Sequence, residues 1–428
     1  MNDAAIYQLN QEHHYVLDQL DNLEGCLFLT GRAGTGKSSL IQLFKKLNNK
    51  KVIYLAPTGV AAVQIKGQTI HSFFKFPPGW IRPSDYKPLP KKMIAQIDLI
   101  FIDEISMVRA EMLDHIDQLL RLSSGSNKPF GGKAMLWCGD LFQLPPVVNG
   151  SFELDYFRNV YESPYFFSAN VFKQIQSFEL IELSRIYRQS DPYFIKLLEK
   201  IRLNELDEDD LEDINERCFN PKDENTFLQI HLCTTNVSAN RINMERLQAL
   251  KDPAKIYKAK ITGQVQVNQY PGEVQLILKI GAQVVFTRND PNKRFVNGSL
   301  GVVRNLKENS IEIELESNNK YIEVEPFNWE VIKYNLSSGK NRELIPEVVG
   351  HFVQLPLKLA WAITIHKSQG KTFEHVVIEM GTGAFEFGQT YVAFSRCKSL
   401  QGIQLKQKLR WQDVRTDERI LDFLRLHS

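Results

Sequence analysis

The sequence predicts an α/β protein made of two tandem parallel-sheet domains, with a small β unit inserted in the second and a short irregular insertion in the first. Two observations predict the sheets. Apolar runs of four or five residues recur through about residue 175 between glycine-punctuated turns and helix-length stretches, and a second set follows Leu183. Short, near-continuous apolar strands separated by helices belong to a parallel sheet covered on both faces. A third observation marks the insertion: from Pro291 to about Pro356 the pattern changes to runs that alternate apolar with charged residues, as in a half-exposed antiparallel unit.

In chain order, Cys26–Thr30, Val52–Ala56, Leu99–Ile102 and Met135–Cys138 read as strands of the first domain. Ile230–Cys233, Ala282–Phe286, Ala360–Ile365 and Val376–Glu379 read as strands of the second. The domains are expected at 1–178 and 179–428, with insertions at about 74–92 and 290–356. The first insertion carries Pro77, Pro78, Pro83, Pro88 and Pro90 around Trp80 and Tyr86, which excludes a regular helix. In the second, Ile311–Leu315 and Tyr321–Val324 alternate, and Gly298, Gly301, Asn309-Ser310 and Asn318-Asn319 supply the turns.

A chain of 428 residues has room for two or three domains with separate cores. A 43% hydrophobic and 24% charged composition excludes disorder and fibre. No stretch approaches the ~20 apolar residues of a membrane span, and Met1-Asn2-Asp3-Ala4-Ala5 is neither basic nor apolar, so a cytoplasmic or nucleoid location without membrane partners is expected. Cys26, Cys138, Cys218, Cys233 and Cys397 are widely spaced without a Cys-x-x-Cys pair, which suggests reduced thiols and no zinc site. The formal charge of +2 does not announce a nucleic-acid binder. A local basic stretch, Lys279, Arg288, Lys293, Arg294 and Arg304, reads either as a track or as a solvated face.

Gly31-Arg32-Ala33-Gly34-Thr35-Gly36-Lys37-Ser38 is a G-x-x-x-x-G-K-S phosphate loop, set after an apolar strand and before a helix. Its glycines let backbone N–H groups close on phosphates, Lys37 reaches the β/γ oxygens, and Ser38 offers an oxygen to Mg²⁺. The ATP-binding set is Gly31, Ala33, Gly34, Thr35, Gly36, Lys37, Ser38 and Ser39. Asp103 and Glu104 follow the apolar run Leu99–Ile102; Asp103 would hold Mg²⁺ directly or through water, and Glu104 would polarise the attacking water. Gln143, in Gly139-Asp140-Leu141-Phe142-Gln143-Leu144-Pro145-Pro146, stands where it could sense the γ-phosphate. Leu183-Ser184-Arg185-Ile186-Tyr187-Arg188-Gln189 and Tyr391–Arg396 supply arginines of the kind that stabilise phosphoryl charge when two domains close.

Candidate nucleic-acid contacts are Pro57, Thr58 and Gly59, then Thr69, His71 and Phe73, and finally His366 and Lys367. They offer hydroxyls, amides, cations and aromatic surface for phosphates and stacked bases. Phe73 and Phe74 fit a core position equally well.

With these residues in hand, the chain resembles superfamily 1 helicases of the 5′-to-3′ branch, the PIF (petite integration frequency) family above all, and RecD-type helicases more distantly. The resemblance runs from about Leu9 to Leu400 through GRAGTGKS, APTGVAA, GQTIHSFF, FIDEISM, GDLFQLPPV, LSRIYRQ, ITIHKSQGKTF and YVAFSR, with Asn127-Lys128-Pro129-Phe130-Gly131-Gly132-Lys133 as a family signature. It implies RecA-like domains, an SH3-like insertion entered at Phe295–Val303, and a wedge region after Phe74 that meets the duplex fork. It assigns γ-phosphate sensing to Gln143, Arg188 and Arg396. The family usually has a Gln upstream of the phosphate loop that reads adenine; here the aligned residue is His13, with Gln8 and Gln11 nearby.

The resemblance therefore implies an ATP- and Mg²⁺-dependent helicase moving 5′ to 3′ on single-stranded DNA and opening forked or G-quadruplex DNA in replication, repair, recombination or telomere maintenance. A monomer is expected, or a dimer on DNA. A protein-stripping translocase, a subunit of a recombination assembly, a nucleotide-gated clamp and an RNA track are alternatives.

Overall fold

The computed structural model describes residues 10–77, 79–148, 150–219, 229–267, 270–316, 319–336 and 344–427. Six strands, β1 (Cys26–Gly31), β2 (Val52–Ala56), β3 (Gln68–Thr69), β4 (Leu99–Ile102), β5 (Ala134–Cys138) and β6 (Phe178–Leu183), form one sheet in the order β3-β2-β4-β5-β1-β6. Every neighbouring pair is parallel. β1, β2, β4 and β5 are buried along their whole length, because helices cover both faces. The helices of this half include α1 (Gln11–Asp21), α2 (Lys37–Leu47), α3 (Gly59–Gln64), α4 (Ile70–Phe74), α5 (Lys91–Ala95) and α6 (Ala110–Ser124). In an open parallel sheet the crevice beyond the carboxyl ends of the strands takes ligands. The phosphate loop, Thr58, Asp103 and Asp140 all leave strands at that edge.

The second sheet has four parallel strands in the order Ala362–Thr364, Ile230–Cys233, Val376–Glu379, Ile403–Leu405. Three expectations change. β6 belongs to the first sheet, so the boundary falls after Leu183 and not at 178. Gln283–Phe286, within the run read as a second-domain strand, instead lies in a five-stranded antiparallel sheet between Leu300–Leu306 and Leu357–Leu359. That run is fully buried by a separate core of Leu276, Leu278, Val284, Phe286, Phe295, Val303, Ile311 and Ile313, which gives it the continuous apolar look of a parallel strand. The β insertion therefore begins near Lys255, ahead of residue 290, and ends with Leu359.

Within it, Ile311–Leu315 and Tyr321–Val324 pair antiparallel with the alternating burial their sequence shows. A long hairpin, Phe327–Leu336 with Leu344–Gln354, reaches the first domain. There the Tyr334 hydroxyl accepts from the Tyr54 N–H at 3.2 Å, and the Tyr334 N–H donates to Gln68 Oε1 at 3.1 Å. Asn318 and Pro78 lie outside the described residues.

The insertion after Phe74 sinks Phe76, Ile81 and Leu89 into the first core, and Tyr86 donates to Gln118 on α6. Trp80 stays at the surface, its ring edge-on to Tyr156 at 4.6 Å. The Phe130 segment braces the first domain from within. Phe130 (φ 53°) is fully buried edge-on to Trp137 of β5, and its N–H donates to Asp117 Oδ1 at 2.6 Å. All five cysteines are buried thiols. Among the described residues, no helix is long and apolar enough to cross a membrane.

The last helix, Glu418–His427, returns to the first domain, where Phe423 stacks on Phe167 at 4.4 Å and meets Phe28, Phe166, Phe172 and Phe178. Phe423→Ala should lower unfolding stability by about 3 kcal/mol in urea titration, whereas Leu426→Ala, at a position 78% exposed, should leave it unchanged.

Candidate active site at the interdomain cleft

β1 ends in Gly31, and the loop that follows turns on Gly34 (φ +86°) and Gly36 (φ +85°), a left-handed geometry that glycine adopts without steric cost. Gly34 has a second constraint: a Cβ there would lie 2.5 Å from the Cβ of Arg188. The Tyr187 N–H also donates to the Gly34 carbonyl at 2.9 Å, so the loop and the 183–189 segment are built against each other. α2 starts at Lys37 directly after Gly36, aiming its N-terminal N–H groups and partial positive charge into the crevice. The Lys37 ammonium is held over the loop by the carbonyls of Gly31 and Arg32 at 2.6 and 3.1 Å.

Asp103 and Glu104 follow β4 into the same crevice. Glu104 has left-handed backbone (φ 50°, ψ 46°), unusual for a residue with a Cβ and a form of strain that collects at functional sites. Burial raises the pKa of both carboxyls, the neighbouring Asp103 charge pushes Glu104 up further, and Lys37 opposes the rise at each. After β5, Asp140 accepts from Gln143 Nε2 at 3.1 Å, which fixes the side chain of Gln143.

The opposite wall comes from the helix Gln389–Ser395. Its Tyr391 hydroxyl accepts from the Ala33 N–H at 3.0 Å and lies 3.4 Å from Asp140 Oδ2. Arg396, 1% exposed, donates to the Val392 carbonyl (3.0 Å) and Ser395 hydroxyl (2.8 Å). Arg188 donates to the Ser395 carbonyl at 3.1 Å. Burial, and then Arg188, push the Arg396 pKa down to about 9. Burial lowers Arg188 as well. The nearby Glu104 and Asp140 charges offset part of the burial of Arg396, and both guanidiniums line the cleft at the phosphate loop.

One cleft of roughly 530 Å³ is lined by Ala33, Gly34, Thr35, Gly36, Lys37, Ser38, Ser39, Asp103, Glu104, Gln143, Arg188 and Arg396. Of the predicted nucleotide residues, Gly31 alone is set back, at the base of the loop. Sequence reasoning did not assign Tyr391, Tyr187, Asp140 or Lys398, which share this wall or its hydrogen bonds. Tyr391 opens the motif that ends at Arg396, and that was the available signal. At the head of α1, His13 stacks on Tyr187 with ring centroids 6.0 Å apart and planes 17° from parallel. Gln8 and Leu9 lie outside the described residues.

The nucleic-acid candidates divide. Thr58 is exposed and caps α3 by accepting from the Ala61 N–H. Pro57 and His71 line a groove of roughly 670 Å³ whose other wall is the insertion hairpin, with Lys75 on one side and Lys333 on the other. Lys367 is exposed and donates to Asn236 at 2.8 Å, while His366 lies 2.9 Å from Glu386. Gly59 is buried at the start of α3. Phe73 and Thr69 are corrected: Phe73 is 3% exposed with its ring against Phe74 and Tyr334, and Thr69 is 5% exposed with its hydroxyl capping α4. Neither presents a surface on which a base could stack.

Two parallel-sheet domains meeting at a phosphate loop, with arginines reaching across from the second, define a two-domain RecA-like nucleotide-binding protein. The family described as PIF1-like helicase matches residues 8–212. The ATP-dependent DNA helicase PIF1 of Xenopus laevis is 34% identical over 89% of this chain and 58% of that protein. The ATP-dependent DNA helicase Pif1 of Bdellovibrio bacteriovorus is 30% identical over 97% of this chain and 91% of that protein. Bacteroides sp Pif1 in complex with ADP-AlF4 superposes with a TM-score of 0.89 at 35% identity, covering 98% of this chain and 97% of that one; bound to ssDNA, Bacteroides Pif1 gives 0.70. The chain belongs to the PIF1-like helicase family. It spans 58% to 64% of the length of the vertebrate relatives it matches.

Gly34→Ala places a Cβ against Arg188 and removes the left-handed turn. It should abolish binding of a fluorescent ADP analogue in titration while far-ultraviolet circular dichroism stays unchanged.

Proposed function

We propose that this chain is an ATP-dependent DNA helicase that moves 5′ to 3′ on single-stranded DNA and separates duplex or G-quadruplex DNA. The observation that carries the reading is the pair of guanidiniums, buried Arg396 and half-buried Arg188, that line the same cleft as the phosphate loop, Asp103 and Glu104. A nucleoside triphosphate adds negative charge at these arginines, and its γ-phosphate lies where both domains can reach it.

In this scheme the loop N–H groups and Lys37 bind the β- and γ-phosphates. Glu104 orients and deprotonates the attacking water, and Gln143, fixed by Asp140, reports whether the γ-phosphate is present. Ser38 and Asp103 fit Mg²⁺, which would supply charge neutralisation between the phosphates. Among the described residues no group of three or more His, Cys, Asp and Glu could hold a metal, which suits an ion completed by phosphate oxygens. Direction and G-quadruplex opening rest on the family resemblance. The DNA path runs by Thr58 and the groove between His71, Lys75 and Lys333, with Lys367 on the second domain and the Trp80 insertion as the wedge.

Steady-state hydrolysis with and without single-stranded DNA, on forks bearing only a 5′ or only a 3′ tail, tests the reading. DNA-stimulated hydrolysis with unwinding from the 5′ tail supports it, and DNA-independent hydrolysis without strand separation overturns it. Lys37→Ala should eliminate turnover, and Glu104→Gln should lower kcat at least ~100-fold with ATP binding retained. Lys333→Ala and Lys75→Ala should each weaken single-stranded DNA binding and reduce the slope of log affinity against log salt by roughly one phosphate contact.

A further inference from the structure

We propose that Arg202 is a positioning residue for the nucleotide site: reaching over from the second domain, its guanidinium holds the Asp140–Gln143 turn so that Gln143 meets the γ-phosphate. The proposal rests on the γ-phosphate role given to Gln143 above and adds the group that keeps that side chain in place.

Arg202 lies near the end of the helix Pro192–Leu203, which follows the crossing after Leu183. Glu199 and Arg202, three positions apart, share one side of that helix, and both reach first-domain residues. Arg202 donates to Glu182 Oε1 on β6 at 2.9 Å and to Glu199 Oε1 at 3.2 Å. Its guanidinium carbon sits over the Phe142 ring, 4.0 Å from the centroid. Glu199 in turn pairs with Arg32 of the phosphate loop at 2.8 Å.

A guanidinium only 4% exposed needs anions around it. Burial disfavours its charge, and among the groups that restore it are Asp140, Glu182 and Glu199. Asp140 is the acceptor that fixes Gln143 Nε2, and it also accepts from the Phe142 N–H at 3.2 Å. The Gln143 N–H closes the turn on the Asp140 carbonyl at 3.1 Å. Gly388 abuts the carbonyls of Phe142 and Gln143. The backbone of the turn is thus set by Gly388, and its ring and its carboxylate by Arg202.

The other link from this helix is weaker. The side chains of Arg32 and Glu199 are 35% and 24% exposed, and ion pairs open to water contribute little. The phosphate loop also has braces of its own, the Tyr187 N–H on the Gly34 carbonyl and the Ala33 N–H on the Tyr391 hydroxyl. Loss of the Arg202 guanidinium therefore loosens Gln143 and spares the loop, so a triphosphate suffers and a diphosphate does not.

Competition against a fluorescent ADP analogue, with Mg²⁺ present, tests this on the whole chain without turnover by comparing ADP with β,γ-imido-ATP. Arg202→Met, which keeps the length and removes the charge, should weaken the imido compound about tenfold and ADP by less than ~3-fold. Gln143→Ala should do the same, and the double variant should lose nothing further, because one residue acts through the other. A packing role would weaken both nucleotides alike or add to the Gln143→Ala loss, and either result overturns the proposal. If circular dichroism shows that Arg202→Met does not fold, Phe142→Leu carries the test: it keeps apolar bulk and removes the aromatic face. Selective loss of the imido compound then supports the proposal, and equal loss or none overturns it. Gln143→Ala with an unchanged ratio of the two affinities would instead overturn the γ-phosphate role of Gln143, and this proposal with it.

Discussion

Arg396 places a guanidinium where water hardly reaches, at 1% exposure, beside a second guanidinium on Arg188. Desolvating such a charge costs several kcal/mol, and backbone carbonyls recover only part of it. The fold accepts this because the helix Gln389–Ser395 gives its C-terminal carbonyls to both arginines, where helical dipoles favour cations. The same helix holds the first domain through Tyr391, and its Gly388 approaches so closely that a Cβ would lie 2.2 Å from the Phe142 carbonyl oxygen. Gly34, Arg188, Ser395, Tyr391 and Asp140 thus form one chain of contact around the cleft. A change at any of them is felt at the phosphate loop.

The insertion hairpin makes a second junction between the halves, and it does so by completing hydrogen bonding at a sheet edge. β3 is two residues long and pairs only with Leu55 and Ala56, so the Tyr54 N–H on that side of β2 has no strand partner. Tyr334 supplies the missing acceptor and fixes its own backbone on Gln68. This docking forms the far wall of the groove at His71 and places Lys333 opposite Lys75. The groove exists only while the hairpin is seated.

The motifs were legible because their chemistry needs particular residues at strand ends. The phosphate loop, Asp103-Glu104 and Gln143 converge in space as their order along the strands foretold. The core strands were legible from continuous apolar runs. Ala282–Phe286 was misassigned because burial by a small antiparallel core leaves the same pattern as burial in a parallel sheet. Ile403–Leu405 is too short to show a pattern, and β6, half-exposed at the sheet edge, lacks the continuous apolar run of the other strands, so most of it was placed at the start of the second domain. Phe73 shows the limit for single aromatics: sequence cannot separate a stacking platform from a core ring, and the seat of Tyr334 decides it. Tyr391 went unassigned because its hydroxyl acts on a loop 358 positions away.

The return of the last helix to the first domain has a mechanical meaning. The chain passes from the first half to the second after Leu183 and comes back near Arg419, whose guanidinium donates to the Glu162 carbonyl just before Phe423 enters the aromatic cluster. Two covalent crossings constrain relative motion far more than one: a single linker permits swivel and separation, whereas two spaced straps leave rotation about the line joining them as the softest movement. The cleft is accordingly a hinge whose axis is written into the chain's path.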